Sequence, residues 1–415
     1  MHTSKCLRPK SSKCADSENL RTGLLPTGRR LFLLTCLLLT QEFAAGNPPA
    51  LWGDLRPGPY PVGFQSVIAR DYSRANLAGP DLQRTIAPRP ILIAMWYPAS
   101  EQPAVYIKYR DYLRVNDTEE QEFASRLAHF SLDAASRAIS GVSIESATAE
   151  MRRKLDDAFN MPACTGRNLK PAAGPFPVVI YHPGAAGAFD ENAVMFEFLA
   201  SNGYLVISSA YQAAGDRVAN DIGGPAQSIA DMRFLINAAR LWPFADVTRI
   251  AAIGHSAGAQ HLLRWIGERT CPLRGAVSLD TTLEYTPASF KGHKELRRAL
   301  ADSELPMIPI LLFASAERKP NFSTFDRYLS RASRFNASVS GLRHDDFLSH
   351  GLLRTILSDL PRVETVPVRR GYQAVCEIAL RFLNACMEKA QCGPTALAPG
   401  AGGDAVTIRY RGPRR

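Results

Sequence analysis

Five short apolar runs, FPVVIYH (176–182), YLVISSAY (204–211), RIAAIGH (249–255), GAVSLD (275–280) and IPILLFAS (308–315), recur through the chain with helix-length segments between them. No other feature restricts the fold as much. A strand with one wet face alternates apolar and polar residues, whereas a strand covered on both faces is apolar at nearly every position. Strands of the second kind, separated by helices, require a largely parallel sheet with helices packed on either side, an α/β architecture. VGFQSVIARD (62–71), ILIAMWYP (91–98) and NASVSGL (336–342) extend the set of strands. Helices are expected at 190–202, 225–240, 256–268 and 370–390; in IADMRFLINAARLW the apolar residues recur at helical spacing and read as a core face.

Residues 99–174 break this rhythm. They hold two amphipathic segments, EEQEFASRLAHFSLDAASRAIS and SATAEMRRKLDDAFNM, and then a loop rich in Pro and Gly. The reading is a helical insertion between two central strands, acting as a lid or pocket wall or packing on the sheet edge. The main domain is placed at 47–392, and the Gly-, Pro- and Ala-rich segment 393–415 is expected to be a flexible tail.

At the N-terminus, Arg29-Arg30 precede LFLLTCLLLT, and AAG follows at 44–46. Basic, apolar and small-residue regions in that order read as a signal peptide over residues 1–46, and place the mature protein in a periplasm or outside the cell. An apolar core of about ten residues is too short to cross a bilayer. The net charge is +10, but residues 1–46 carry seven Lys/Arg against three Asp/Glu, which leaves +6 on the remainder. The body shows no basic run with interleaved aromatics, which argues against nucleic acid as a partner. Cys164, Cys271, Cys376, Cys386 and Cys392 follow the leader; Cys386 and Cys392 are close enough in sequence to bridge. No Cys/His cluster has zinc spacing.

AAIGHSAGAQ (251–260) carries the chemistry. Ser256 stands between two glycines, after an expected strand and at the start of an expected helix. A nucleophile elbow requires that context, because the sharp turn lifts the hydroxyl above the sheet edge. A serine nucleophile needs a base, and of His261, His293, His344 and His350, His344 follows the last expected strand, at the sheet edge where it would face Ser256. The base needs an acid: Asp280 ends GAVSLD and keeps the order Ser, Asp, His, with Glu317 after the next strand as the alternative. Asp345 and Asp346 adjoin the base too closely in sequence to reach its far nitrogen. His344, Asp345, Asp346 and His350 lack a further ligand group, so neither a metal nor a cofactor is assigned. The oxyanion requires backbone N–H donors, one from Ala257 and one from YHPGAAG, where Gly184 or Ala185 can donate and Pro183 cannot. His182 reads as a structural residue of that loop.

YPVGFQSVIARDYSR, RPILIAMWYPAS, FPVVIYHPGAAG, NGYLVISSAYQ, DVTRIAAIGHSAGA, GAVSLD and GLRHDDF fall in the order found in α/β-hydrolases. Within that fold the chain most resembles the platelet-activating factor acetylhydrolase and dienelactone-hydrolase-like esterases, over roughly residues 58–385 apart from the insertion. The resemblance implies an α/β-hydrolase fold with a mostly parallel central sheet. It favours Asp280 over Glu317 and puts the second oxyanion donor at Gly184, with Pro183 standing where the family has glycine. The expected activity is hydrolysis of carboxylic esters, of short acyl groups or lipids, with transient contact at a membrane interface. The same triad also serves acyltransferases and peptidases, and the fold also occurs in non-catalytic binding modules.

Overall fold

A computed structural model describes residues 50–76, 87–115, 120–211, 224–301, 308–357, 365–388, 392–397 and 403–414; the expected leader, 1–46, lies outside them. The strands are β1 (Val62–Asn76), β2 (Ala87–Pro98), β3 (Thr165–Arg167), β4 (Phe176–His182), β5 (Leu205–Ser208), β6 (Ala245–His255), β7 (Gly275–Leu279), β8 (Ile310–Ser315), β9 (Arg334–Val339) and β10 (Val406–Arg411). They form one sheet in the order β10-β9-β8-β7-β6-β4-β5-β2-β1-β3. From β5 across to β9 every neighbour is parallel, and β2 and β10 border that block antiparallel. The helices are α1 (Gln121–Ser140), α2 (Ala149–Phe159), α3 (Ala193–Ser201), α4 (Pro225–Ala239), α5 (Ser256–Trp265), α6 (Lys291–Ala301), α7 (Ser323–Tyr328), α8 (Ser349–Ile356) and α9 (Thr365–Glu388).

The unbroken apolar runs follow from burial on both faces. In β4, Val179 and Tyr181 join one core with Phe196 of α3 and Phe382 of α9; Val178 and Ile180 join the other with Met232 of α4 and Leu262 of α5. Successive side chains point to opposite faces, and both faces here are covered by helices.

The 99–174 segment is joined to the domain at several points. β3 pairs in parallel with the outer edge of β1. Glu197 of α3, buried, accepts from Trp52 Nε1 at 2.6 Å, Tyr112 OH at 2.5 Å and the Cys164 amide at 2.9 Å. Burial raises its carboxyl above the ordinary value, and these three bonds oppose that rise. One side chain thus ties the proline-rich lead, the insertion and α3 together.

The tail departs from expectation. Rather than hanging free, residues 406–411 pair with β9 as the last strand, and Tyr410 packs on Phe335 with ring centroids 5.1 Å apart. The segment TIRYR alternates in burial as a half-covered edge strand should; its polar neighbours masked that pattern. The sulfurs of Cys386 and Cys392, both free thiols, lie 2.9 Å apart. Among the described residues no helix is long and apolar enough to cross a membrane.

Candidate active site

β6 runs without a break into α5, and the join falls at Ser256. The backbone there is strained: Ser256 has φ +51°, in the left-handed region that L-residues with a Cβ rarely occupy. Close packing on both sides holds it. A Cβ on Gly254 would lie 2.7 Å from the Ala259 backbone, and one on Gly258 would lie 2.3 Å from the Pro183 carbonyl oxygen. The two glycines around Ser256 therefore admit the helix to the strand and the β4 loop to the helix. The Ala257 amide lies in the first turn of α5, where N–H groups have no partner within the helix.

β7 ends two strands from β4 and beside β6, and the next residue is Asp280, also in the left-handed region at φ +47°. It is fully buried. Its Oδ2 lies 2.5 Å from His344 Nδ1, and its Oδ1 accepts from Tyr285 OH and, at 3.3 Å, from the Ser315 amide. Burial alone would raise this carboxyl; the bond and charge of His344, and the Tyr285 hydroxyl, outweigh it and hold the pKa below the ordinary value. Arg318 stacks over the Tyr285 ring at 3.9 Å and approaches Oδ2 to 4.0 Å. An imidazole whose Nδ1–H is fixed on a carboxylate keeps Nε2 free to take a proton. His344 opens the turn after β9 and is part-exposed. No hydrogen bond joins it to Ser256 in this structure; such bonds commonly tighten only when substrate is bound.

The other candidates are engaged elsewhere. Glu317, the alternative acid, is exposed and accepts from the Gly341 amide at 2.5 Å and Ser315 OH at 3.1 Å, bracing the loop that leads to His344. His261 bonds Ser228 Oγ at 2.9 Å, and His293 lies between Tyr328 OH and the Leu283 carbonyl. Burial lowers the His350 pKa to about 4. Asp346 is paired with Arg354. His182 stacks on Tyr211 at 3.8 Å; burial and the neighbouring His261 lower its pKa to about 3, in keeping with a structural place in the loop.

The oxyanion loop differs from expectation at one atom. The Gly184 amide donates to Glu191 Oε1 at 3.2 Å, so it is turned toward a buried carboxylate. Among the described residues the next amide, Ala185, has no such partner.

A comparison with solved structures bears on the fold. The chain is similar to a ferulic acid esterase from Streptomyces cinnamoneus, with a TM-score of 0.53 and 16% identity over 84% of this chain and 96% of that one. The fold is that of the α/β-hydrolases. No protein-family profile matches the sequence, and no curated protein matches it.

Glu191 and His255, to which the sequence assigned no role, lie against the Gly184 amide and the His344 carbonyl oxygen. In the sequence Glu191 shows only as part of an acidic pair, Asp190-Glu191, between a small-residue loop and an apolar run, AVMFEFLAS.

Proposed function

We propose that this protein is an exported serine hydrolase that cleaves carboxylic esters through Ser256, His344 and Asp280. The observation that carries the reading is the left-handed Ser256 at the β6–α5 join, with Asp280 at the end of the adjacent strand β7 paired to His344 from the turn after β9. The similarity in fold to a ferulic acid esterase supports ester cleavage as the activity.

In this mechanism Ser256 Oγ attacks the ester carbonyl while its proton passes to His344 Nε2. The carbonyl oxygen becomes an oxyanion, held by the Ala257 amide and an amide of the β4 loop, for which we take that of Ala185, since the Gly184 amide donates to Glu191. Asp280 keeps the imidazole in one tautomer and offsets its positive charge. The alkoxide leaves with the proton from His344, giving an acyl-serine. Water then repeats the sequence: His344 takes its proton, hydroxide adds to the acyl carbon, and Ser256 recovers its hydrogen as the acid departs. Short acyl esters are the first substrate class, with lipid esters of the platelet-activating-factor type next.

A fluorophosphonate probe should label the wild-type protein, and Ser256→Ala should lose both labelling and p-nitrophenyl ester cleavage, by roughly 10⁴-fold or more. Turnover retained in Ser256→Ala would assign the wrong serine.

A further inference from the structure

Behind the β4 loop lies a buried acid–base pair that the mechanism above leaves unused. Glu191 is 1% exposed, and its Oε1 accepts from Tyr181 OH at 2.7 Å and from the Gly184 amide at 3.2 Å. The same oxygen lies 3.6 Å from Nδ1 of His255, the residue before Ser256. At that distance the contact is an ion pair rather than a hydrogen bond. A Cβ on Gly187 would come within 2.1 Å of Glu191 Oε2, so the loop is wrapped tightly around the carboxylate.

His255 reaches the other way as well. Its Nε2 lies 3.2 Å from the His344 carbonyl oxygen, and its ring packs on the His344 ring at 4.6 Å. A carbonyl oxygen only accepts, so Nε2 carries hydrogen; a bare Nδ1 would then turn its lone pair toward a carboxylate. The imidazolium avoids this by presenting N–H on both sides. Burial would lower the His255 pKa, but Glu191, followed by Asp345 and Asp280, outweighs burial and raises it.

Three segments meet here: the β4 loop, the Ser256 elbow and the His344 turn. A Cβ on Gly184 would stand 2.9 Å from His255 Nδ1 and 3.1 Å from Ser256 Cβ, so the loop rests directly on the elbow. The Ser349 amide also donates to the Glu191 carbonyl at 3.0 Å, joining the loop to the start of α8.

We propose that Glu191 is a positioning residue for ester cleavage, shaping the oxyanion loop through Gly184 and tying it through a cationic His255 to the turn that carries His344. This rests on reading Ser256 as the nucleophile. Glu191 does not touch the ester; its effect is on where the oxyanion donors and the base stand.

Glu191→Gln separates this role from a merely structural one, because the amide oxygen still accepts from Tyr181 and Gly184 while the charge is gone. With p-nitrophenyl acetate, kcat should fall by roughly 10- to 100-fold with KM little changed, the scale that a misplacement of about 1 Å costs. His255→Gln should show the same loss, and the double variant should be no worse than either single one, since both break one unit. In ¹⁵N imidazole spectra at pH 7, His255 should be protonated in the wild type and neutral in Glu191→Gln. The groups facing it there are Glu191 from the β4 loop, Asp280 after β7, His344 and Asp345 in the turn, and His350 in α8. Wild-type kcat in both folded single variants overturns the proposal, as does a neutral wild-type His255. A wild-type protein that neither takes up fluorophosphonate nor cleaves the ester overturns the hydrolase reading instead. If Glu191→Gln does not fold, His255→Gln decides the matter.

Discussion

On the acid–base side of the site, side chains meet side chains: Asp280 holds His344 at 2.5 Å and is itself held by Tyr285 and the Ser315 amide. On the side proposed to hold the oxyanion the groups in question are backbone amides, and the amide expected to donate, that of Gly184, is taken by Glu191. The contrast teaches which placements a sequence dictates. A carboxylate at the end of one strand and an imidazole after another are placed by topology, because parallel strands deliver their C-terminal ends to one edge. The direction of an amide depends on how a short loop turns, and here a buried acid seven residues farther along sets that.

The largest effect that would break this contrast is on the acid–base side. Asp280→Asn should reduce kcat by about 10⁴-fold through loss of the tautomer that Asp280 imposes. Glu317→Gln, which only loosens the Gly341 loop, should leave kcat within roughly a few-fold. Steady-state kinetics on a short p-nitrophenyl ester decides; equal losses would mean that the two acids share the work. On the oxyanion side, Gly258→Ala pushes a methyl group against the Pro183 and His182 carbonyls. The loop must shift by about an ångström, and kcat should fall by roughly 10²-fold with the fold retained by circular dichroism. Unchanged turnover would show that the loop need not stand where it does.

The smallest effect sharpens the comparison from beneath Asp280. Glu284 is buried, and burial together with the charge of Asp280 raises its carboxyl from 4.5 to about 8. Its proton is therefore kept in the folded chain and lost in the unfolded chain across that window, so stability falls as pH rises from about 4.5 to about 8. Glu284→Gln has no such proton. Its melting temperature should decline less than the wild type's between pH 5 and 8, and parallel declines would remove Glu284 as the cause.

Much of the fold is legible in the sequence. The doubly buried runs named the central strands, and FPVVIYH coincides with β4 residue for residue. Elsewhere the ends drifted: β6 begins at Ala245 in a polar stretch, and β5 stops at Ser208. Polar residues continue a strand when a neighbour supplies the hydrogen bonds, and hydropathy does not record that. The place of Ser256 at a strand–helix join and the meeting of Asp280 with His344 were legible because chain order and strand ends constrain them. Glu191 was not, because an acidic residue before a helix ordinarily reads as a solvated first turn, and only the fold shows it facing inward. β10 was hidden for a related reason: Val406 and its alternating arginines make an edge strand only because β9 lies beside them.

That last strand also bears on how the protein tolerates trimming. A chain cut back to residue 393 would look harmless from its composition, yet it would uncover the outer edge of β9, with a row of backbone groups ready to pair with another molecule. Arg409 and Arg411, on the strand that covers this edge, place charge where such pairing would begin. β10 thus fills an edge of β9 that would otherwise be open to pairing.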